Sequence, residues 1–165
     1  MRNFRIALAL FILILMSSVS AFAQEKLSVA VAANYIAAFK ELAADFEGKT
    51  KIKAEGTFSS SGSFYSQITN GAPYDLFLSA DEERPALLFK EGLAEKPFVY
   101  ARGQVILWSA NKDFCKAANW QEALKNDRIK KVALANPKLA PYGAAAQEAL
   151  KKAQLWEPLQ PKLVN

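Results

Sequence analysis

The sequence predicts an α/β protein with a doubly wound, mostly parallel sheet. Short apolar runs alternate along the chain with amphipathic segments of helical period, and this alternation is typical of right-handed βαβ units. The apolar runs are short and several are continuous, which favours strands buried on both faces, as parallel strands are. These observations predict the order of elements given below.

The first βαβ unit begins at a valine-bearing apolar run, Leu27–Ala33, and passes through Asn34 into a helix. The elements predicted from there are a helix over 36–48, a strand over 51–58, a helix over 61–70, a strand over 74–79 and a helix over 84–92. The second of these helices is expected to bury Phe64, Tyr65 and Ile68, since these residues share one face.

The composition changes after Pro97. Phe98–Ala110 is a long, β-prone segment with a glycine in its middle, and such a stretch commonly crosses from one lobe of an α/β protein to another. Beyond it, the pattern predicts a helix over 120–126, a strand over 131–135, a turn over 141–143 and a helix over 144–153.

The N-terminal residues are typical of an export signal, and we do not expect them to belong to the folded domain. Arg2 and Arg5 precede an unbroken apolar run, Ile6–Met16, and a small-residue segment ends at Ala21-Phe22-Ala23, an A-x-A cleavage site. The apolar run is too short for an ordinary transmembrane span. We therefore predict a cleaved signal peptide over residues 1–23, with an uncleaved anchor as the alternative.

Composition excludes several kinds of site. The chain has no histidine, so it can hold no Ser-His-Asp triad, Cys-His dyad or histidine-based metal site. Cys115 is the only cysteine, which excludes an intrachain disulfide, and its apolar setting indicates packing. The signal segment carries two arginines and no acid, so its removal lowers the formal charge of +5 by two. The remaining basic residues are scattered among acids, so no nucleic acid is expected as a partner.

Three strand-to-helix turns share features that suit an anion: Ala32–Tyr35, Ser59–Ser63 and Pro141–Ala144. In open α/β sheets, ligands bind beyond the carboxyl ends of the strands, where helix N-termini point. Each helix N-terminus offers free N–H groups and roughly half a positive charge. Asn34 and Ser61 add neutral side-chain donors, and the backbone N–H of Tyr142 is expected to be free.

The candidate turns contain no arginine, lysine or carboxylate. Neutral donors alone suit a fully deprotonated oxyanion, whereas a monohydrogen phosphate would need an acceptor for its proton. Metal cations would require carboxylates or imidazoles. Asp75 and Asp81, which flank the third predicted strand, are interpreted as turn or hinge caps. Because ordinary helix capping also selects serine and asparagine, capping alone remains an open interpretation of all three turns.

Three segments of the sequence together resemble the periplasmic molybdate-binding proteins of ATP-driven molybdate importers. They are VAVAANYIAAFKELAADFE, TFSSSGSFYSQITNGAPYDLFLSAD and ANPKLAPYGAAAQEALKK. The resemblance extends from Leu27 to Asn165, and the motif over Asn70–Asp81 is highly specific among solute-binding proteins. It implies a two-lobed fold like that of type II periplasmic binding proteins, each lobe a mostly parallel sheet flanked by helices. Residues 24–100 would form the first lobe, and residues 101–165 the crossing and part of the second.

The resemblance implies a periplasmic, monomeric protein that captures molybdate, and tungstate as well, and delivers it to the membrane permease of an ABC transporter. Such a protein is not an enzyme, has no cofactor, and binds no metal beyond the molybdenum carried as molybdate. Carried over by position, the oxyanion-binding residues would be Asn34 with Ala33 beside it, Ser61 with Ser60 beside it, and the backbone N–H of Tyr142.

Members of the resembled family continue well past residues 161–165. The resemblance therefore implies a second lobe that is encoded only in part, with an exposed sheet edge. Alternatives remain: a binder of sulfate or another organic or inorganic anion, a nonfunctional fragment, or an exported hydrolase with its nucleophile in Ser59–Ser63. Without histidine, such a hydrolase would need a lysine partner, and none stands near these serines in sequence.

Overall fold

In the computed structural model, which describes residues 25–164, strands and helices alternate along the chain. The predicted signal peptide over residues 1–23 lies outside the described residues. The strands are β1 (Lys26–Ala32), β2 (Lys53–Ser59), β3 (Leu76–Leu78), β4 (Val132–Ala133) and β5 (Leu163–Val164). The helices are α1 (Ile36–Thr50), α2 (Ser61–Thr69), α3 (Glu83–Lys90), α4 (Trp120–Leu124), α5 (Pro141–Lys152) and α6 (Trp156–Leu159). Within residues 25–164, no helix is long and apolar enough to cross a membrane.

The strands form two parallel sheets, as the alternation of strands and helices predicts. The first sheet has the order β2-β1-β3, and the second pairs β4 with β5. In the first sheet Ala32 lies opposite Ser59, and Val31 lies opposite both Phe58 and Leu78. The carboxyl ends of β1, β2 and β3 therefore meet at one edge, and every turn that leaves this edge leads toward a helix N-terminus.

The first sheet carries one hydrophobic core, built on the buried strand β1. Val29 and Val31 are completely buried and pack with Phe39 of α1. A Cβ added to Gly56 of β2 would lie 2.9 Å from Cδ1 of the Phe39 ring, so a glycine is needed for α1 to approach the sheet. Phe64 of α2 is also fully buried, as predicted from its helical face.

The second sheet has a separate core formed mainly by leucines. Its buried members are Leu124, Leu150, Leu155 and Leu159, and partly buried residues pack around them. The chain thus has two sheets, each with its own core, which confirms the expected two-lobed α/β class. We call β1–β3 with α1–α3 the first lobe, and β4–β5 with α4–α6 the second lobe. The boundary predicted at residues 100–101 stays a prediction.

The third strand is shorter than the predicted segment over 74–79, because the residues at its ends have other partners. The carboxylate of Asp75 accepts the Ser28 N–H at 2.7 Å, and the Asp75 N–H donates to the Ser28 carbonyl at 2.9 Å. At the other end, the Tyr100 hydroxyl donates to the Ser79 carbonyl at 2.8 Å. The pairing between β1 and β3 is therefore limited to the three central residues.

The β-prone segment Phe98–Ala110 forms no strand with any described residue. The segment over 93–104 and β3 both line a groove of about 1260 Å³, and no backbone-to-backbone hydrogen bond joins Phe98–Ala110 to another described residue. Large side chains of the segment are consequently exposed, Phe98 by 82% and Trp108 by 77%. High β propensity is not sufficient for a strand, because a strand also needs a partner at hydrogen-bonding distance.

Candidate functional site

The predicted binding residues of the first lobe lie together at the carboxyl edge of the first sheet. Ala33 and Asn34 follow β1 in a short 3-10 turn, and Ser60 and Ser61 follow β2 at the start of α2. Because Ala32 and Ser59 are register partners in the parallel ladder, the two turns leave the sheet side by side. Asn34 is exposed, and its side-chain amide forms no hydrogen bond with another described residue.

Ser60 is the N-cap of α2. Its hydroxyl oxygen accepts the Ser63 N–H at 3.1 Å, and the two hydroxyl oxygens lie 2.8 Å apart in a further hydrogen bond. Ordinary capping therefore accounts for this serine. The hydrolase alternative requires a lysine partner for a serine hydroxyl. Among the described residues, the Ser60 and Ser63 hydroxyls form hydrogen bonds with each other and with the Ser63 N–H, and none with a lysine.

Ser61 differs from its neighbour in burial and in partner. It is completely buried, and its hydroxyl oxygen accepts the Ala80 N–H at 2.9 Å. A hydroxyl group also carries one hydrogen to donate, and no acceptor for it is recorded among residues 25–164. Ser61 thus retains a donor that the fold does not use.

The backbone donors in the first turn of α2 are used unequally. Phe64 N–H makes the first helical bond, to the Ser60 carbonyl, while Ser63 N–H donates to the capping hydroxyl. Gly62 N–H donates to the Leu139 carbonyl at 3.0 Å. Ser61 N–H precedes these bonds and has no recorded acceptor in the described chain. Ser61 thus has two donors without an acceptor among residues 25–164, one from the backbone and one from the side chain, at a helix N-terminus, which is a place that suits an anion.

The second candidate helix begins at Pro141, and not at Ala144 as predicted. Proline suits the first helical position because its fixed φ matches the helix and its missing N–H is not needed there. The N–H of Ala144 donates to the Ala140 carbonyl at 3.1 Å, so the N–H of Tyr142 precedes the helical ladder. Tyr142 therefore lies inside the first turn of α5, and its backbone N–H has no acceptor among residues 25–164, as the sequence predicts.

Gly143 fixes where this helix starts. It is buried, and a Cβ added to it would lie 2.7 Å from the carbonyl carbon of Ala135, just after β4. Because the obstacle is backbone, a side chain at this position could not be accommodated by a rotamer change. The backbone of α5 is thereby held directly against the exit of β4, and the Tyr142 N–H is held with it.

The helix N-termini of the two lobes meet at this junction. Gly62 follows Ser61 directly, and its partner Leu139 lies three residues before Tyr142, so the hydrogen bond from Gly62 to Leu139 links the two candidate donor sites. The structure therefore brings Ser61 and Tyr142 to one junction. It places Asn34 at the carboxyl edge of the first sheet, beside the turn that carries Ser61.

Sequence reasoning missed a cation at the junction. A Cβ added to Gly62 would lie 3.2 Å from Nη2 of Arg84, a side chain only 19% exposed. The Arg84 guanidinium pairs with Asp81, whose second carboxylate oxygen accepts the Arg84 N–H at 2.9 Å. The interpretation of Asp81 as a cap is thus confirmed. The Asp75 carboxylate likewise accepts a backbone N–H, that of Ser28. The only sequence signal for this pair was an Asp three residues before an Arg at a helix start.

Three tyrosines cluster beside the junction, which the sequence did not reveal. The rings of Tyr35 and Tyr100 pack edge to face with centroids 5.3 Å apart. The ring carbon Cζ of Tyr142 lies 3.2 Å from the position of a Cβ on Gly103, so the absence of a side chain there makes room for this tyrosine. Burial, with Tyr35 and Tyr142 nearby, raises the pKa of Tyr100 to about 12.

The raised pKa of Tyr100 predicts a pH dependence of stability. Since the folded state keeps its proton while an unfolded tyrosine loses it near pH 10, the contribution of Tyr100 is complete below pH 10 and is lost as the pH rises toward 12. The free energy of unfolding should fall more steeply over this range in the unsubstituted protein than in Tyr100→Phe. Tyrosinate absorbance should show one tyrosine that titrates late and that the substitution removes; identical titration curves would contradict the prediction.

The described residues include no cluster of three His, Cys, Asp or Glu side chains that could hold a metal ion. The junction offers hydrogen-bond donors of three kinds: a buried hydroxyl, backbone N–H groups at two helix N-termini and an exposed amide.

Comparison with known proteins gives consistent results. The sequence profile of the family described as bacterial extracellular solute-binding protein matches residues 27–165. The chain is 44% identical over 142 residues to the molybdate-binding protein ModA of Azotobacter vinelandii, an alignment that covers 85% of this chain and 56% of that protein. It is 46% identical over 138 residues to ModA of Rhodobacter capsulatus, covering 82% of this chain and 54% of the relative.

A solved structure gives the same similarity in three dimensions. The periplasmic molybdate-binding protein of Azotobacter vinelandii superposes with a TM-score of 0.77 at 36% sequence identity, covering 84% of this chain and 61% of that chain. This chain spans about half the length of the curated relatives that it matches. The similarity includes both turns of the first lobe and the start of α5, since the family profile extends over all of them.

Proposed function

Because the chain belongs to the bacterial extracellular solute-binding protein family, we propose that it captures molybdate, and tungstate as well, outside the cytoplasm. It delivers the anion, as a monomer in the periplasm, to the membrane permease of an ABC transporter. The observation that carries the proposal is Ser61, a fully buried residue whose hydroxyl and backbone N–H both remain free to donate at the junction of two helix N-termini. Similarity to molybdate-binding proteins from two organisms supports the choice of anion.

The lining of the junction suits a tetrahedral anion that carries no proton. Ser61 provides an O–H and an N–H, Tyr142 provides an N–H, and Asn34 with Ala33 beside it provides donors at the end of β1. An oxyanion whose four oxygens are all acceptors can pair with every one of these groups. The positive ends of α2 and α5 add favourable electrostatics without a net charge on the site. The neighbouring Arg84 is neutralised by Asp81.

Binding requires no covalent step. The anion contacts donors of both lobes, so it binds more tightly to the arrangement in which the lobes are together than to one in which they are apart. This difference in affinity is what drives closure. Sulfate is also a tetrahedral acceptor, so the donors select against protonated anions, and the size of the gap between the lobes selects among the rest.

Isothermal titration calorimetry of the purified protein with molybdate, tungstate, sulfate and phosphate tests the proposal. Molybdate and tungstate are expected to bind more tightly than sulfate, and phosphate is expected to bind worst because its proton lacks an acceptor. Equal weak binding of molybdate and sulfate would overturn the assignment to molybdate. Absence of binding by all four anions would overturn oxyanion capture by this chain.

Asn34→Ala is expected to weaken molybdate binding by about 1–3 kcal/mol, because a hydrogen bond to a charged ligand is lost. The measurement is calorimetry on both proteins at the same ionic strength. Asn70→Ala is a matched control, since Asn70 is an exposed asparagine at the opposite end of α2 and donates to the Ser66 carbonyl. Unchanged affinity in Asn34→Ala, or an equal loss in the control, would place the site elsewhere.

A further inference from the structure

The two lobes touch at main-chain distance where α2 begins. Gly62 N–H donates to the Leu139 carbonyl at 3.0 Å, and Nη2 of Arg84 lies 3.5 Å from the carbonyl of the preceding residue, Lys138. We call these two hydrogen bonds the closure contact. Gly62 and Arg84 belong to the first lobe, whereas Lys138 and Leu139 lie in the loop that leads into α5.

Only a glycine fits on the α2 side of the closure contact. A Cβ at position 62 would lie 2.8 Å from the Leu139 carbonyl oxygen and 3.1 Å from its Cα. Both atoms belong to backbone, so they cannot yield by a change of rotamer, and a side chain would push the loop away. Nη2 of Arg84 would lie 3.2 Å from the same Cβ, so the guanidinium also crowds a side chain at position 62.

Helix formation gives no reason for glycine at this position. Gly62 lies in the first turn of α2, where glycine is no better a helix former than alanine, and its backbone does not adopt a positive φ that would require it. The requirement therefore comes from the approach of the second lobe, and not from the local conformation of α2.

We propose that Gly62 is a positioning residue for oxyanion binding: it lets the Leu139 carbonyl dock on α2 and thereby sets the gap between the donors of Ser61 and Tyr142. Gly62 follows Ser61 directly, and Leu139 precedes Tyr142 by three residues in the loop that leads into α5, so a displacement at the closure contact is transmitted to both donors. This inference rests on the proposed oxyanion-binding function. It adds a residue that controls affinity without touching the anion.

The substitution Gly62→Ala tests the inference. Molybdate affinity is expected to fall about tenfold or more, chiefly through faster dissociation, because the lobes can no longer reach their docked distance. The melting temperature of the ligand-free protein is expected to stay the same or to rise, since alanine is the better helix former. Calorimetry, stopped-flow tryptophan fluorescence and thermal unfolding without ligand measure these three quantities.

Gly48→Ala is the matched control, because Gly48 also lies in a helix and a Cβ there would meet no atom within 4 Å. Its affinity for molybdate should equal that of the unsubstituted protein. Equal affinity in Gly62→Ala would overturn the inference. So would a loss of affinity accompanied by a lower ligand-free melting temperature, because that result assigns Gly62 an ordinary structural role.

Amide hydrogen exchange separates this inference from the proposed function. Ligand binding is expected to slow exchange at the Gly62 amide, since closure makes the Leu139 carbonyl its acceptor. If the unsubstituted protein binds no oxyanion, the proposed function fails, but the Gly62 amide still reports on the docking of the loop. Exchange as fast as that of an exposed amide would then overturn the closure contact itself.

Discussion

Replacing Gly143 with alanine is expected to lower the free energy of unfolding of the second lobe by about 3 kcal/mol and to abolish anion binding. A side chain at this position would overlap the backbone of Ala135, whose carbonyl carbon would lie 2.7 Å from the new Cβ. Overpacking of a buried site typically costs about 1–3 kcal/mol, and the upper end applies because the obstacle is main chain. The helix α5 must then move away from β4, and the Tyr142 N–H moves with it.

Urea denaturation measures this effect, with the fluorescence of Trp156 as the probe because Trp156 packs on the leucine core of the second lobe. Ala144→Ser provides the control: Ala144 is the next residue of the same helical turn and is exposed, so its substitution should change stability by less than about 0.5 kcal/mol. A Gly143→Ala protein with unchanged stability and affinity would show that α5 can begin elsewhere without consequence for the site.

The first lobe could be predicted from sequence because its determinants are local. Continuous apolar residues in Leu27–Ala33 and helical spacing after Asn34 predict elements that the structure confirms within about two residues at each end. Phe64 was predicted in the buried face of α2, and it is fully buried. Tyr65 and Ile68 were predicted there as well, yet both are only partly buried.

The candidate site could be predicted only as a set of turns. Sequence placed Ser60 and Ser61 together as candidate donors, but the structure gives them different partners, a cap for one and the Ala80 N–H for the other. The difference arises because Ala80, which follows β3, lies beside Ser61 in the fold although the two residues are distant in sequence. Periodicity within α2 contains no information about it.

The contacts between the lobes could not be predicted from local patterns. The hydrogen bond from Gly62 to Leu139 and the position of Arg84 beside it join segments that are far apart in the chain. The opposite error occurred at Phe98–Ala110, where strong local β propensity has no partner strand among the described residues. Local propensity describes what a segment can form, whereas pairing and docking depend on what lies beside it.

Ser61→Ala is expected to weaken molybdate binding about 10- to 100-fold. The substitution removes a donor to a charged ligand, a bond of about 1.5–3 kcal/mol, and each 1.4 kcal/mol corresponds to a factor of ten in affinity. The Ser61 N–H survives the change, which is why binding should weaken instead of disappearing. Titration calorimetry with molybdate measures the loss.

The same substitution also affects folding, because the Ser61 hydroxyl oxygen accepts the Ala80 N–H at 2.9 Å. Leaving that partly buried donor unpaired costs about 1 kcal/mol or more of stability, so the fall in affinity must be separated from a fall in the folded population. Val29→Ala provides the comparison, since Val29 is fully buried in the first lobe and its truncation should cost about 2 kcal/mol.

A comparison of the two variants distinguishes the roles of the Ser61 hydroxyl. If it donates to the anion, Ser61→Ala loses affinity at temperatures where the protein is fully folded, whereas Val29→Ala retains affinity despite comparable destabilisation. If the hydroxyl serves only the Ala80 N–H, the two variants behave alike and both bind molybdate normally once folded. In that case Ser61 would contribute only its backbone N–H, and the anion would be held by helix N-termini and Asn34 alone.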